Sequence, residues 1–520
     1  WMKEVFANFM ADKIVNPAFP EINHDLKFMI SHYPSAYNED RSLGTHPIKQ
    51  KLENLKNAGS LYGGIIYDKA PIMMRQLETM MGTIAFKKGI QKYIQKYANS
   101  NADWEQLVEI LDQQTPIDLK QWSKVWVNES GRSIISSQLE YDGNNHIKKF
   151  EISQKAEDGS SNIWPQIFEI GLVYPDEVKT MKVVLDGKMI SIDSLKGREK
   201  PISIIYNYNG YGYGVFPVDE AEINKIAVIS NEVARASSYI NLYENVLVGN
   251  VAPVTALETL LKAIDNEKNE LIVQLIAGHI RTLYWDYLTK NQQKKYQPII
   301  EESSYLFLQT EQPSNIKKIV FNLFSSVAYS KTGKERLYSI WSKTDNIQDL
   351  KLNEDDYEKM AMLLALYQHP KATEILSQTL ANTRNPDKQK RLQFLLPALS
   401  NDVVVRDAFM QSLKEEKNRV HGTWVITALS FMNHPLNQET AQKNLRLCLD
   451  LVEETQRTGD IFFPKNWLNA TIGNYTSSYA FQVVQTFLKE NPNFSPMLKR
   501  KLLQATDGLY RAQEIKKETK

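Results

Sequence analysis

Apolar and polar positions change their period twice along this chain. From Trp1 to about residue 132 the apolar residues fall three and four apart. Met2, Phe6, Phe9 and Met10 share one face of a helix predicted over 1–14. A second helix is predicted over 65–81, with Pro71 marking a bend or a start. The stretches 83–97 and 104–111 are amphipathic in the same way. Residues 118–128 place Trp122 and Trp126 four apart on one face, and Gly131 then reads as the glycine that closes a helix.

From Ser133 to about Val218 the period becomes two. Short strands are predicted over 137–141, 149–153, 168–173, 181–185 and 202–206, with Asp142-Gly143 and Asp186-Gly187 as hairpin turns. Strands this short and this close together suggest a compact β-sandwich of about 80 residues. From Glu220 onward the helical period returns. Thr255-Ala256-Leu257-Glu258 has the form of a capping box. Helices follow over 270–288, 315–328, 355–369, 371–381, 403–413, 420–432, 438–455, 477–489 and 496–512. Asn385-Pro386, His434-Pro435 and Asn491-Pro492 act as breakers between them. Many short antiparallel helices without a strict repeat point to an irregular solenoid, similar to degenerate HEAT or armadillo stacking. The predicted fold is mostly α with a small β-sandwich, divided into 1–132, 133–219 and 220–520.

Composition narrows the partners. With 520 residues the chain is too long for one core. Sixty-two basic and 61 acidic residues leave a net charge of +1, so no global field favours nucleic acid or an anionic membrane surface. No apolar run approaches the roughly 20 residues that span a bilayer. The single cysteine, Cys448, excludes an internal disulfide and lies among leucines on a helix, as a core residue would. The compartment is not indicated. Trp1 opens a helix with no capping residue before it, so residues upstream of it, including any signal peptide, are expected to be missing.

Chemistry is sparse when read from residues alone. Glu4 lies on a largely apolar helix and either faces solvent or is held inward for a purpose. Tyr67, on an apolar stretch, has the ordinary reading of a core tyrosine. The glycine-rich run from Tyr206 to Val215 leads into Phe216-Pro217 and not into a helix, so a glycine-rich strand pair is expected there, not a phosphate loop. The eight histidines are scattered, and none forms H-E-x-x-H. His279 reads as a core histidine, and His369 and His434 as turn residues. There is no G-x-S-x-G elbow and no Walker loop.

Five short elements in residues 1–132 resemble, in order, those of one enzyme family. Trp1-Met2-Lys3-Glu4-Val5-Phe6-Ala7 is similar to the W-L-N-E-G-F-A signature of zinc aminopeptidases of the gluzincin type, the family of alanyl aminopeptidase and leukotriene hydrolase. Lys3 and Val5 replace its usual asparagine and glycine. Gly44-Thr45-His46-Pro47-Ile48 is similar to S-H-P-I. Ile65-Ile66-Tyr67-Asp68-Lys69-Ala70 resembles [IS]-Y-[DES]-K-G, with Ala70 in place of the glycine. Residues 77–93 resemble L-x-x-x-L-G-x-x-x-F-x-x-G-[IL]-x-x-Y, with Met81 at the second leucine. Trp122, Trp126 and Gly131 resemble a closing W-x-x-x-W…G element, followed by Ser133 where a proline is common.

The resemblance implies that Glu4 is the third zinc ligand and that Tyr67 donates a hydrogen bond to the oxyanion of a tetrahedral intermediate. It implies one zinc ion in the intact parent and peptide substrates with a free N-terminus. It also implies the second half of a thermolysin-like catalytic domain, then a β-sandwich, then a solenoid that roofs the active site. The H-E-x-x-H helix and the G-x-M-E-N amine-binding loop do not occur in this sequence. The chain alone is therefore expected to bind zinc weakly or not at all and to be inactive. The competing reading is a non-catalytic peptidase remnant acting as a solenoid interaction module; retention of both Glu4 and Tyr67 counts against it.

Overall fold

The computed structural model describes residues 1–51 and 62–518. It divides into two compact units, Trp1–Val251 and Ala252–Lys520. The chain is mostly helical, with two small sheets in the first unit.

The first unit begins with α1 (Met2–Val15), α2 (His24–Asp40), α3 (Ala70–Met81), α4 (Thr83–Tyr97), α5 (Trp104–Asp112) and α6 (Leu119–Asn128). Helix α2 is absent from the sequence pattern because Pro34 lies inside it. Its start is nevertheless capped, with the Asn23 side chain accepting from the Leu26 N–H at 3.0 Å. The segment expected as one helix over 65–81 is a π-helical turn, Ile65–Lys69, running into α3. Pro71 has no N–H to return to the Tyr67 carbonyl four residues back, so the α register gives way there. In α6 the Trp122 and Trp126 rings stack at 5.7 Å, and both indoles donate to the Pro165 carbonyl, at 3.1 and 2.9 Å.

Gly131 does not close that helix, which ends two residues earlier with Glu129 extended at its C-cap. It instead adopts a positive φ of 91° three residues beyond Asn128, in the turn into the sheets.

The strands are β1 (Ser133–Tyr141), β2 (Ile147–Ala156), β3 (Gln166–Val173), β4 (Val178–Leu185), β5 (Met189–Ser191), β6 (Ser203–Ile205) and β7 (Gly214–Val215). They form one sheet in the order β5-β2-β1-β7 and another in the order β4-β3-β6. Among the described residues only β1 and β7 pair parallel. Side chains of both sheets meet in one core, with Ile135, Phe150 and Ile152 from the first and Phe168, Ile170, Val183 and Ile204 from the second. Strand β3 is buried on both faces. Its outer face lies on α3, where Gln76 both accepts from the Ile167 N–H and donates to the Ile167 carbonyl, at 2.9 Å each.

Two turn expectations fared differently. Asp142-Gly143 joins β1 to β2 as a hairpin. Asp186-Gly187 does not make one, because β5 pairs with β2 and the chain there passes from one sheet to the other. The glycine-rich run is not a strand pair either. Asn207 accepts from the Gly212 N–H at 2.7 Å and donates back to its carbonyl at 3.1 Å, folding 207–212 into a tight loop, and only Gly214-Val215 at the end of the run is strand. After a short helix, α7 (Glu220–Ile223), comes α8 (Glu232–Leu247), which packs on α2 inside this unit.

The second unit is helical throughout its described residues. It opens with α9 (Pro253–Ile264), α10 (Glu270–Thr282), a π turn at Leu283–Tyr287, α11 (Lys290–Leu308) and α12 (Ser314–Val327), with α9 packed on α10 and α12 on both α10 and α11. Thr255 is not a cap. The helix starts at Pro253 with Ala252 before it, and Glu258 accepts the Tyr296 hydroxyl instead of reaching back. The expected helix over 438–455 is broken into Gln438–Ala441, Leu445–Asp450 and Val452–Thr458. Cys448 is buried, and burial pushes its thiol up to about 12, which keeps it protonated and inert. His279 is buried, as a core histidine should be. Among the described residues no helix is long and apolar enough to cross a membrane.

Candidate functional site

Helix α1 packs against the π turn and α3, and this brings the two candidate residues into one neighbourhood. Glu4 lies in the first turn of α1 beside Val5 and near Phe9, which are buried. Its own side chain is about one-quarter exposed and pairs with Lys3 at 3.6 Å. The apolar face therefore anchors the helix while the carboxylate stays accessible.

Tyr67 sits at the centre of the π turn. Its ring lies 5.6 Å from that of Tyr62. Partial burial, then the Glu4 charge, then Tyr62 hold its phenol above the ordinary value. The sensitivity to Glu4 places the two groups within electrostatic reach. A phenol raised in this way stays protonated at neutral pH and remains a hydrogen-bond donor. Among the described residues no hydrogen bond of the Tyr67 hydroxyl is seen, so the donor is not already spent.

The residues around Tyr67 are held tightly, mostly by α2. The Ile65 N–H donates to Glu39 Oε2 at 3.3 Å. Asp68 takes His32 Nδ1 at 2.9 Å on one carboxylate oxygen and the Ser35 hydroxyl at 2.5 Å on the other. Lys69, fully buried, pairs with the equally buried Asp40 at 2.8 Å and donates to the Gly131 carbonyl at 2.9 Å. Asp40 also accepts from Thr45 Oγ1 at 2.8 Å, and from the Gly131 N–H and the Tyr213 hydroxyl at 2.9 Å each. A buried carboxylate with one cation and three donors is well satisfied.

Beyond it, Arg132 bridges Glu157 at 2.6 Å and Glu244 at 2.7 Å, and lies 4.6 Å from the Tyr37 ring centroid. Glu244 pairs with Arg41 at 3.0 Å. Glu39, Asp40 and Lys69 carry no signal in the sequence pattern, which reads lone charged residues as solvated. His32, one of the scattered histidines, serves Asp68.

His46, in the S-H-P-I-like element, is buried and has its Nδ1 3.0 Å from the Pro47 carbonyl. Among the described residues no three His, Cys, Asp or Glu side chains converge as a metal site would require. Glu4 fits the role of a single carboxylate ligand, being ionisable, accessible and on a rigid helix.

Residues 1–126 match the Peptidase family M1 domain, and the chain is similar to several proteins named aminopeptidases. It is 23% identical over 285 residues to "Probable aminopeptidase 1" of Sulfurisphaera tokodaii, covering 55% of this chain and 35% of that one. It is 24% identical over 303 residues to "Aminopeptidase N" of Streptomyces lividans, covering 54% and 35%. To "Aminopeptidase M1-B" of Oryza sativa subsp. japonica it is 27% identical over 280 residues, covering 52% and 31%. The matched stretches thus span about a third of each relative.

Proposed function

We propose that this chain is the carboxy-terminal portion of a zinc aminopeptidase that removes N-terminal residues from peptides. In the parent enzyme Glu4 is one of three zinc ligands and Tyr67 is the oxyanion donor. The observation that carries the reading is the packing of α1 against the π turn, with the Glu4 charge felt at Tyr67. Zinc with two histidines and a carboxylate leaves a position open for the water that hydrolyses the peptide bond. A neutral phenol fixed nearby suits the charge that develops on the carbonyl oxygen. Residues 1–132 are then the second half of a thermolysin-like domain, 133–219 a β-sandwich, and 220–520 a helical solenoid. This chain alone is inactive, because it carries one ligand of three.

The test compares variants of the whole enzyme on an aminoacyl-p-nitroanilide. Tyr67→Phe is expected to lower kcat by about 10²–10³-fold with zinc content unchanged, the range for loss of one oxyanion donor. Glu4→Ala is expected to lose the metal. If both variants keep full activity, the assignment of Glu4 and Tyr67 fails; if the whole protein hydrolyses no aminoacyl-p-nitroanilide, the remnant reading takes its place. Tight one-to-one zinc binding by the 520-residue chain alone would remove the claim that it is inactive by lack of ligands.

A further inference from the structure

We propose that helix α2, together with the Gly131 turn, is a positioning clamp for Tyr67, with Lys69 and Asp68 as the residues through which it acts. The inference rests on the reading of Tyr67 as the oxyanion donor and adds what keeps that donor in place.

A π turn is a poor foundation for a donor that must be accurate to a fraction of an ångström. It is wider than an α-helix, its hydrogen bonds are strained, and it occurs mostly as single turns. Ile65–Lys69 has just such a turn, closed by the Ala70 N–H on the Ile65 carbonyl. Its stability must come from outside. Three successive supports provide it, spaced along one helix. Glu39 takes the first amide of the turn, at Ile65. His32 and Ser35 take the two oxygens of Asp68, the residue after Tyr67. Asp40 takes Lys69, which the Gly131 carbonyl also holds.

His32, Ser35 and Glu39 recur at three- and four-residue spacing, so they lie along one stripe of α2 facing the turn. The approach is too close for side chains on the turn's leading edge. A Cβ on Gly64 would lie 2.5 Å from the Ser35 carbonyl oxygen, and one on Gly63 2.4 Å from a Glu39 carboxylate oxygen. Two glycines precede the turn so that its backbone can lie on α2.

The supports differ in burial, and that separates their roles. The Lys69–Asp40 pair is fully buried, so it is costly to break and does not exchange with water. The His32–Asp68 contact is about one-sixth exposed on each side and can be loosened without stranding a buried charge. Ile65 and Ile66 point into the core. Tyr67 is thereby left as the one long polar side chain of the turn with no anchor of its own, on a backbone fixed from both sides. Its position is set by its neighbours, and its hydroxyl remains free for a ligand.

The experiment uses the 520-residue chain with 3-fluorotyrosine incorporated, the Tyr67 ¹⁹F resonance being assigned by its loss in Tyr67→Phe. Amide hydrogen exchange is read over the same samples. In Lys69→Met the amides of 65–69 are expected to exchange at least tenfold faster and the Tyr67 resonance to broaden or split. Amides of α5 and α6 should keep their protection. The double variant His32→Gln/Ser35→Ala strands no buried charge and should give the same signature at about threefold, so it decides alone if Lys69→Met does not fold.

Wild-type exchange and an unaltered Tyr67 signal in a folded variant would overturn the clamp. So would protection lost evenly across residues 1–251, which would make Lys69 a general tie of the core. In the whole enzyme the double variant should lower kcat and leave KM unchanged. If Tyr67→Phe has no effect on kcat, the reading of Tyr67 falls while the exchange result stands by itself.

Discussion

At the scale of single residues, charge placement in this chain follows partners and not sequence neighbours. Asp286 shows this in the helical unit. Burial pushes its carboxyl from 3.8 up to about 7, against the opposing pull of Lys516 and Arg281. Between about pH 4 and 7 the native state therefore holds a proton that the unfolded chain has released. Stability on this account is greatest at the acid end, falls as pH rises through that window, and is constant above it. His434 acts in the opposite sense, since burial lowers it to about 4 and stability is lost as pH falls from its ordinary value of 6.5. The two cancel in part in the wild-type protein.

Asp286→Asn removes one of them and leaves the other. We expect the variant to be the more stable protein at pH 8, by at most about 4 kcal/mol at about 1.4 kcal/mol per pKa unit. The difference should vanish by pH 4. Thermal unfolding of both proteins from pH 4 to 8 checks it, and a difference independent of pH would sink the assignment. The same rule decides what was legible near Tyr67. Glu4 and Tyr67 could be singled out because each sits in a short motif that resembles a family signature. Lys69 belongs to the same short run, yet nothing local marks it as buried, because its carboxylate lies 29 positions back at Asp40.

At the scale of elements, apolar period located most helices but not their ends, which depend on hydrogen bonds the period does not record. Thr255 and Asn231 make the contrast testable. Thr255 has the sequence form of a cap, but it lies inside α9 and is exposed. Asn231 has no Glu or Gln three residues later, yet its side chain accepts from the Ala234 N–H at 2.9 Å and starts α8. Asn231→Ala is expected to cost about 1 kcal/mol and Thr255→Ala less than about 0.5 kcal/mol in chemical denaturation. Equal costs would contradict the boundaries.

Where the pattern failed outright, a competing constraint is visible. Helix α2 is interrupted by Pro34 yet pinned by Asn23 and by its contacts to the π turn. Asp186-Gly187 has hairpin chemistry but joins strands of different sheets, and such pairing is decided by partners distant in sequence. Turn residues specify that the chain reverses; they do not specify what it pairs with next.

At the scale of the whole molecule, the change from strand to helix near residue 219 is easy to read, but the first compact unit runs on to Val251. Helix α8 is the reason. Its Glu244 is nearly fully buried between Arg41 and Arg132, which are themselves 6% and 0% exposed in their side chains. Further along it, Ser237 donates to the Asn207 carbonyl at 2.9 Å and Asn245 donates to the Phe216 carbonyl at 2.7 Å, tying the glycine-rich loop and the last strand to the helix. A chain ending at residue 219 would retain both arginines and lose the carboxylate between them. Glu157 would still serve Arg132, but Arg41 would lose the buried carboxylate of Glu244. Breaking a buried pair from one side costs about 3–5 kcal/mol, comparable to the whole stability of many domains. We therefore expect residues 1–251 to be soluble and to unfold in one cooperative transition, and residues 1–219 to show none. Glu244→Gln in the full chain, which keeps the shape and removes the charge, should lose a large part of the same stability while α8 remains present. If 1–219 instead unfolds cooperatively at the same temperature as 1–251, the arginines are not held by Glu244 in solution, and the unit closes before α8.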